Sequence, residues 1–349
     1  MQNELDNRMI QVLNHEGQVV GELPELSDDE MRDMYRWMVF GRVFSDRMVA
    51  LQRQGRSNTF APLTGQEASV ALATALQPDD WFVGSYREIL PILAKGVPPL
   101  AMLETYKGYI PTQYSREAHT LPIQIVLAAQ MPHAAGLAMA IKYEGKPHVA
   151  VGVCGDGATS EGDFNETLNF AGVFKAPLVV VVQNNGWAIS VPRRVQTAAS
   201  FIADRGPGFG VPSFVVDGND VLAVHKVMAD CVARARAGDG PSLVEMITYR
   251  LGAHTTADDP TKYRSEEELA YWKPRDPLLR MRMYLLSKGL LSNAEDEQMH
   301  EAVAAEIQTA VSALDAMPPT EPSRLFELVY ETPTPQLVAQ RAALQDIGD

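Results

Sequence analysis

Two kinds of apolar spacing run along this chain. Unbroken runs, VAVGVC ending at Cys154 and PLVVVVQ ending at Gln183, have the length of strands buried on both faces, and the segment between them reads as a GDG turn and a helix to about Phe174. Helical spacing dominates elsewhere. Ser27 with Glu30 three residues on forms a capping box, Leu26 and Met31 can staple the entry, and the stripe Trp37, Phe40, Val43, Phe44, Met48 carries a helix to about Gln54, stopped by Gly55. A helix is expected from near Gly65 to before Pro78, then a short apolar piece at Trp81–Val83, and a small-residue helix after an extended piece in 121–145. PSFVVDGND reads as a strand, Asp220 to about Ala237 as a helix, PSLVEMITYR as a further strand, and 276–289 and 292–316 as helices before a PPTEPS turn and a last helix.

This alternation predicts an α/β fold, a doubly wound, mostly parallel sheet with flanking helices. Residues 1–26 read as an N-terminal arm with a short strand pair around GQVVGEL, 27–273 as the α/β domain, and 274–349 as a C-terminal helical extension. The stretch 109–120 reads as a polar loop.

Composition narrows the classes. A net charge of −14 over 349 residues argues against nucleic acid or an anionic membrane as partner, since both require a cationic face. Two cysteines are too few for a disulfide framework or a zinc site, and Cys154 reads as a small core residue. No run approaches the ~18 apolar residues of a membrane span, and MQNELDNRMI lacks a signal core. The expected setting is cytoplasmic.

The two runs and the helix between them form a βαβ unit, so their strands should be parallel neighbours with their carboxyl ends on one edge. Asp156 follows the first strand and Asn185 the second, bringing two oxygen donors together. Gly155 and Gly157 allow a sharp turn and close approach of an anion, and Thr159 and Ser160 offer a cap whose helix would face phosphate oxygens. A carboxylate and a carboxamide beside such a pocket suit Mg²⁺ shared with a diphosphate, with Asp156, Asn185 and the Trp187 carbonyl as protein ligands. The plain alternative is a βα turn in which Asp156 only caps a helix. A second GDG, residues 238–240, precedes a strand rather than following one and cannot serve as a phosphate cradle.

GDGATSEGDFNETLNFAGVFKAPLVVVVQNNGWAIS, with LQRQGR and GQEA upstream, resembles the alpha subunit of the thiamine-diphosphate-dependent decarboxylating component of 2-oxo acid dehydrogenase complexes, of the bacterial pyruvate or branched-chain type. The resemblance implies thiamine diphosphate and Mg²⁺ as cofactors. It places Tyr86 and Arg87 on the diphosphate, Gly157 and Ala158 beside it, Ile125 and Leu127 against the thiamine, and His254, on a closing loop, in a catalytic and cofactor-binding role. For Arg87 alone a surface ion pair is the ordinary reading, and a guanidinium fork suits phosphate oxygens. Phe60 is a candidate wall of the substrate pocket, an ordinary core aromatic being the alternative. Thr255 stands where mitochondrial relatives carry a regulatory phosphoserine. Gln124 and Ala129 replace hydroxyls that help bind potassium in eukaryotic branched-chain relatives, so no potassium site is expected. Gln183 and Gly186 flank the Asn pair where some relatives have an Arg, which shifts diphosphate neutralisation towards Arg87, His254 and Mg²⁺. His133, on an alanine-rich helix, reads as a hydrogen-bonded packing residue.

The resemblance further implies a beta subunit completing the site in an α₂β₂ heterotetramer, and a lipoyl-bearing acyltransferase that collects the acyl group. A small 2-oxo acid is the expected substrate, pyruvate favoured, with a branched-chain 2-oxo acid, acetoin or a non-catalytic scaffold role as alternatives. A nicotinamide dehydrogenase fits poorly, because GDGATSEG lacks the GxGxxG spacing.

Overall fold

A computed structural model describes residues 8–110, 116–327 and 329–345; part of the expected polar loop, 111–115, lies outside them. The strands are β1 (Met9–Ile10), β2 (Trp81–Val83), β3 (Ala150–Gly155), β4 (Leu178–Asn184), β5 (Trp187–Ala188), β6 (Val191–Pro192), β7 (Ser213–Asp217) and β8 (Ser242–Ile247). Six of them form one parallel sheet in the order β1-β7-β8-β4-β3-β2, while β5 and β6 pair as a small antiparallel hairpin. The helices that matter below are α1 (Asp28–Arg53), α2 (Gln130–Tyr143), α3 (Gly162–Phe174), α4 (Val221–Arg236), α5 (Pro277–Ser287) and α6 (Asn293–Asp315).

Both faces of the sheet are covered, as a buried parallel sheet requires. Successive side chains alternate between faces. Val151, Val153, Val179, Val181, Val244 and Met246 join the core that holds α1 and α4, whereas Ala150, Cys154, Val180 and Val182 join the core under α2 and α3. Every residue of β4 is buried, which explains an unbroken apolar run instead of an alternating one. Gly152 faces α2, where a Cβ would stand 2.8 Å from the Ala134 Cβ, so the helix can lie close only over a glycine.

Ser27 caps α1 through the expected capping box, and Gly55 follows its end at φ +71°. The arm contributes more than a local strand pair. Its β1 is the edge strand beside β7, and Asp220, which caps α4, also accepts hydrogen bonds from the Val12 and Leu13 amides at 2.7 and 2.6 Å. The bridge Leu13–Val19 is what remains of the predicted strand pair. After Gly65 the chain forms a 3₁₀ turn (Glu67–Val70) and one short α-turn (Ala71–Thr74) in place of a continuous helix. The C-terminal helices α5 and α6 pack on α1: Tyr35 donates to Asp296 at 2.8 Å, and Leu285, Val303, Ile307 and Val311 share a hydrophobic cluster with Met38 and Phe44. No helix among the described residues is long and apolar enough to cross a membrane.

Candidate active site

The register pairs Gly155 with Gln183, so β3 and β4 end side by side and release Asp156 and Asn185 onto the same edge. Both line a cavity of ≈ 140 Å³, whose walls also include Tyr86, Arg87, Leu127, Gly157, Ala158, Trp187 and His254. The two asparagines part company there. Asn184 turns under the sheet to Glu245 at 2.7 Å, and Asn185 faces the cavity.

Asp156 is buried; burial raises its carboxyl above the usual range, opposed by hydrogen bonds from the Gln196 side chain and from backbone amides including that of Asn185. Gln196 donates to it at 2.9 Å. The expected cap differs from the observed one: Gly157–Ser160 is a 3₁₀ turn, Thr159 donates back to the Asp156 carbonyl at 2.7 Å, and α3 starts after Glu161 with no side-chain cap. Thr159 and Ser160 lie within the tight turn, and the helix begins one or two residues later than a cap at either would place it. Gly157 leaves the cradle open, since a Cβ there would stand 2.7 Å from the Ala188 Cβ.

Opposite Asp156 lies a cationic cluster. Arg87, the residue after Tyr86 in the turn beyond β2, donates to the carbonyls of Pro62 (2.6 Å) and His254 (3.0 Å) and reaches the His254 Nδ1 at 3.3 Å. Arg250, just beyond β8, approaches the same Nδ1 at 3.2 Å and donates to the Ile189 carbonyl at 2.7 Å. His254 is held by its own N–H on Asp258 at 2.8 Å. Burial, then the two guanidinium groups, push the imidazole down to about 4, so it is neutral near pH 7. Burial also lowers both Arg87 and Arg250. Ile189, at the hairpin tip, has φ +57°, a strained conformation for a β-branched residue and one that concentrates at functional sites.

A second cavity, ≈ 380 Å³ and largely apolar, shares Tyr86, Leu127, Ile189 and His254 with the first and adds Phe60, Tyr106, Ile123, Ile125 and Thr255. Phe60 is fully buried, edge-on to Phe44 and Tyr106, and lines this cavity. Ile125 lies on this cavity only and is 77% exposed, so it stands apart from the polar group, whereas Leu127 bridges the two. His133 is exposed and bonded to the Ala129 carbonyl, on the helix surface and not in packing. The second GDG sits at the opposite edge of the sheet, before β8.

Arg250, Gln66, Glu88 and Gln196 were not singled out from sequence. Gln66 lies inside GQEA and Glu88 follows the Tyr-Arg pair, so their neighbours carried the signal; Arg250 was marked only by its place beyond a strand's carboxyl end. Gln196 had no signal.

The donor set fits a cation shared with a polyanion. Asp156 and Asn185 supply hard oxygens, and no group of three or more His, Cys, Asp or Glu able to hold a metal lies among the described residues, so oxygen ligands from a diphosphate suit the coordination Mg²⁺ requires. Two buried guanidinium groups, with no ion pair to a carboxylate among the described residues and with the Arg250 Nε lacking a partner, supply the countercharge. Fold and cavity together define a doubly wound α/β protein with an anion-and-cation site at the carboxyl edge of its sheet.

Residues 35–323 match the family described as Dehydrogenase E1 component. The chain is 45% identical over 329 residues to the 3-methyl-2-oxobutanoate dehydrogenase subunit alpha of Mycobacterium tuberculosis, covering 92% of this chain and 88% of that one. It is 40% identical over 338 residues to the pyruvate dehydrogenase E1 component subunit alpha of Staphylococcus aureus, covering 95% and 91%. The chain therefore belongs to the dehydrogenase E1 component family, as an alpha-type subunit of a 2-oxo acid dehydrogenase, the family its GDG and NN segments resemble.

Proposed function

We propose that this chain binds the diphosphate of thiamine diphosphate through Mg²⁺ and forms half of a site for oxidative decarboxylation of a 2-oxo acid. One observation carries the reading: Asp156 and Asn185 leave adjacent strands into a cavity whose other wall is Tyr86, Arg87 and His254. Asp156, Asn185 and the Trp187 carbonyl would hold the metal. Tyr86, Arg87, Gly157, Ala158 and His254 would hold the diphosphate, joined by Arg250. When bound, the cofactor supplies the electron sink for loss of CO₂. The chain's own part is positional: guanidinium forks orient phosphate oxygens, a neutral His254 can donate or accept a proton at its free nitrogen, and Leu127 gives an apolar support.

Completion of the site by a beta subunit, in an α₂β₂ assembly, is supported by Ile125 and Val126, 77% and 69% exposed beside the apolar cavity. The acyl group would pass to a lipoyl-bearing acyltransferase. Pyruvate is the substrate towards which the sequence pattern leans. A branched-chain 2-oxo acid is the second reading, favoured by the size and apolar walls of the ≈ 380 Å³ cavity. A cytoplasmic setting accompanies either.

Calorimetry of thiamine diphosphate and Mg²⁺ against the chain with its beta partner tests the cofactor assignment. Binding lost in Asp156→Ala supports it, and undiminished binding in that variant overturns it. Turnover with a panel of 2-oxo acids then ranks pyruvate against branched acids.

A further inference from the structure

A line of side-chain amides runs along the cavity wall, joining residues remote in sequence. The Glu88 carboxylate accepts from the Ser85 amide at 2.7 Å and from the Gln183 Nε2 at 2.9 Å. The Gln183 oxygen accepts from the Gln66 Nε2 at 3.2 Å, the Gln66 oxygen accepts from the Asn185 Nδ2 at 3.2 Å, and the Asn185 oxygen accepts from the Trp187 amide at 3.2 Å. All four side chains are buried, so a misdirected partner leaves a polar group poorly satisfied.

Such a line has a polarity. A carboxamide has one donor end and one acceptor end, so turning one forces the next to turn. Two termini fix the direction. The Trp187 backbone N–H can only donate and requires an oxygen from Asn185; the Glu88 carboxylate, when ionised, uses both oxygens as acceptors and requires a nitrogen from Gln183. The ends agree, and between them every amide has a single satisfied orientation.

We propose that Glu88 is a positioning residue: through Gln183 and Gln66 it holds the Asn185 carboxamide with its nitrogen turned away, leaving its oxygen for the metal. The inference rests on the metal assignment above. It concerns a residue outside the ligand set, reached through two intermediaries, and it assigns to the ion-free GQEA glutamine a defined part in metal binding.

Glu88→Gln keeps the shape and removes the acceptor character. Its amide can satisfy the Ser85 N–H only by pointing its nitrogen at the Gln183 nitrogen, and relief of that clash turns Gln183, Gln66 and finally Asn185, which would present nitrogen to the cation. Partners behind a metal ligand are worth about 10–100-fold in metal affinity. The double variant Glu88→Gln, Gln183→Glu restores the direction, because the carboxylate now sits one step along and accepts from both neighbours.

The test is a Mn²⁺ titration by electron paramagnetic resonance, in the presence of thiamine diphosphate, on the full chain co-purified with its beta partner. Wild type, Glu88→Gln, Gln183→Glu and the double variant form a cycle. The expected result is a loss of about 10–100-fold in Glu88→Gln and recovery in the double variant, with no tightening from Gln183→Glu alone. Unchanged affinity in Glu88→Gln, or additive effects around the cycle, overturns the proposal. Should Glu88→Gln not fold, Gln66→Met cuts the same line while keeping the Glu88–Gln183 bond; a similar loss supports the proposal and wild-type affinity overturns it. Failure of the wild type itself to bind Mn²⁺ with the cofactor would instead sink the functional reading.

Discussion

The tripeptide Gly-Asp-Gly occurs twice, at 155–157 and at 238–240, with different physical outcomes. The first follows β3, and its Asp156 is buried at the meeting point of two strand ends, hydrogen-bonded to Gln196. The second ends α4 and precedes β8: Gly238 and Gly240 take φ +86° and +91°, and among the described residues the exposed Asp239 is bonded through its backbone alone, to Arg234. Identical residues thus serve a cavity in one place and a chain reversal in the other. What separates them is which end of a parallel strand they occupy, because the carboxyl edge is where loops open into a crevice.

The strongest way to break this comparison is to remove both aspartates in turn. Asp156→Ala should abolish cofactor binding, a loss of at least about 100-fold, since a ligand matters no less than the partners behind it. Asp239→Ala should leave binding and turnover unchanged, with stability moved by about 0.5 kcal/mol or less; calorimetry and thermal melts measure both.

Arg250→Lys comes next. It keeps the charge and loses the fork, and a charge-assisted hydrogen bond is worth about 1.5–3 kcal/mol, so diphosphate affinity should fall about 10–100-fold, read by titration with thiamine diphosphate.

The glycines sharpen the contrast. An alanine at 157 meets Ala188 and pushes on the hairpin that carries Trp187, which should cost about 1–3 kcal/mol and lower cofactor affinity with it. Gly238→Ala has open space and only a left-handed φ to oppose, so about 1–2 kcal/mol of stability should go without any change in affinity.

The last contrast is a pH dependence. The folded-state value of His254 is about 4, below the unfolded imidazole near 6.5, so the unfolded chain binds the extra proton between these values and stability falls as pH falls through that window. Burial raises Glu88 to about 7, and its contribution has the opposite sign, lost as pH rises from about 4.5 to about 7. Melts of wild type and His254→Asn between pH 4 and pH 7 should therefore differ, the variant losing less stability on acidification.

Much of the fold was readable from local pattern. The apolar runs at Cys154 and Gln183, the capping box at Ser27 and Glu30, and the cap at Asp220 are near-neighbour effects, and they predicted β3, β4, α1 and α4 closely. The turn after Asp156 escaped this logic, since Thr159 and Ser160 suit a helix cap by composition while the Thr159 hydroxyl donates back to the Asp156 carbonyl within a tighter 3₁₀ turn. Gly65 was read as a helix start; at φ +95°, with a would-be Cβ 2.4 Å from the Tyr249 carbonyl, it marks a close crossing of two segments. Glu67 then anchors that crossing by accepting from the Gly65 amide at 3.0 Å and pairing with Arg42, which holds Gln66 in place.

By itself the sequence determined β3, β4, β7 and β8, their likeness to one family and the two oxygen side chains after β3 and β4, because strand length, strand polarity and turn chemistry are set by adjacent residues. Only the tertiary structure decided that Arg250 joins Arg87 at His254, that Asn185 and not Asn184 faces the cavity, and that Glu88, Gln183, Gln66 and Asn185 share one direction of hydrogen bonding. Charge and amide orientation are settled by whichever groups are buried together, and burial brings together residues that no local spacing connects.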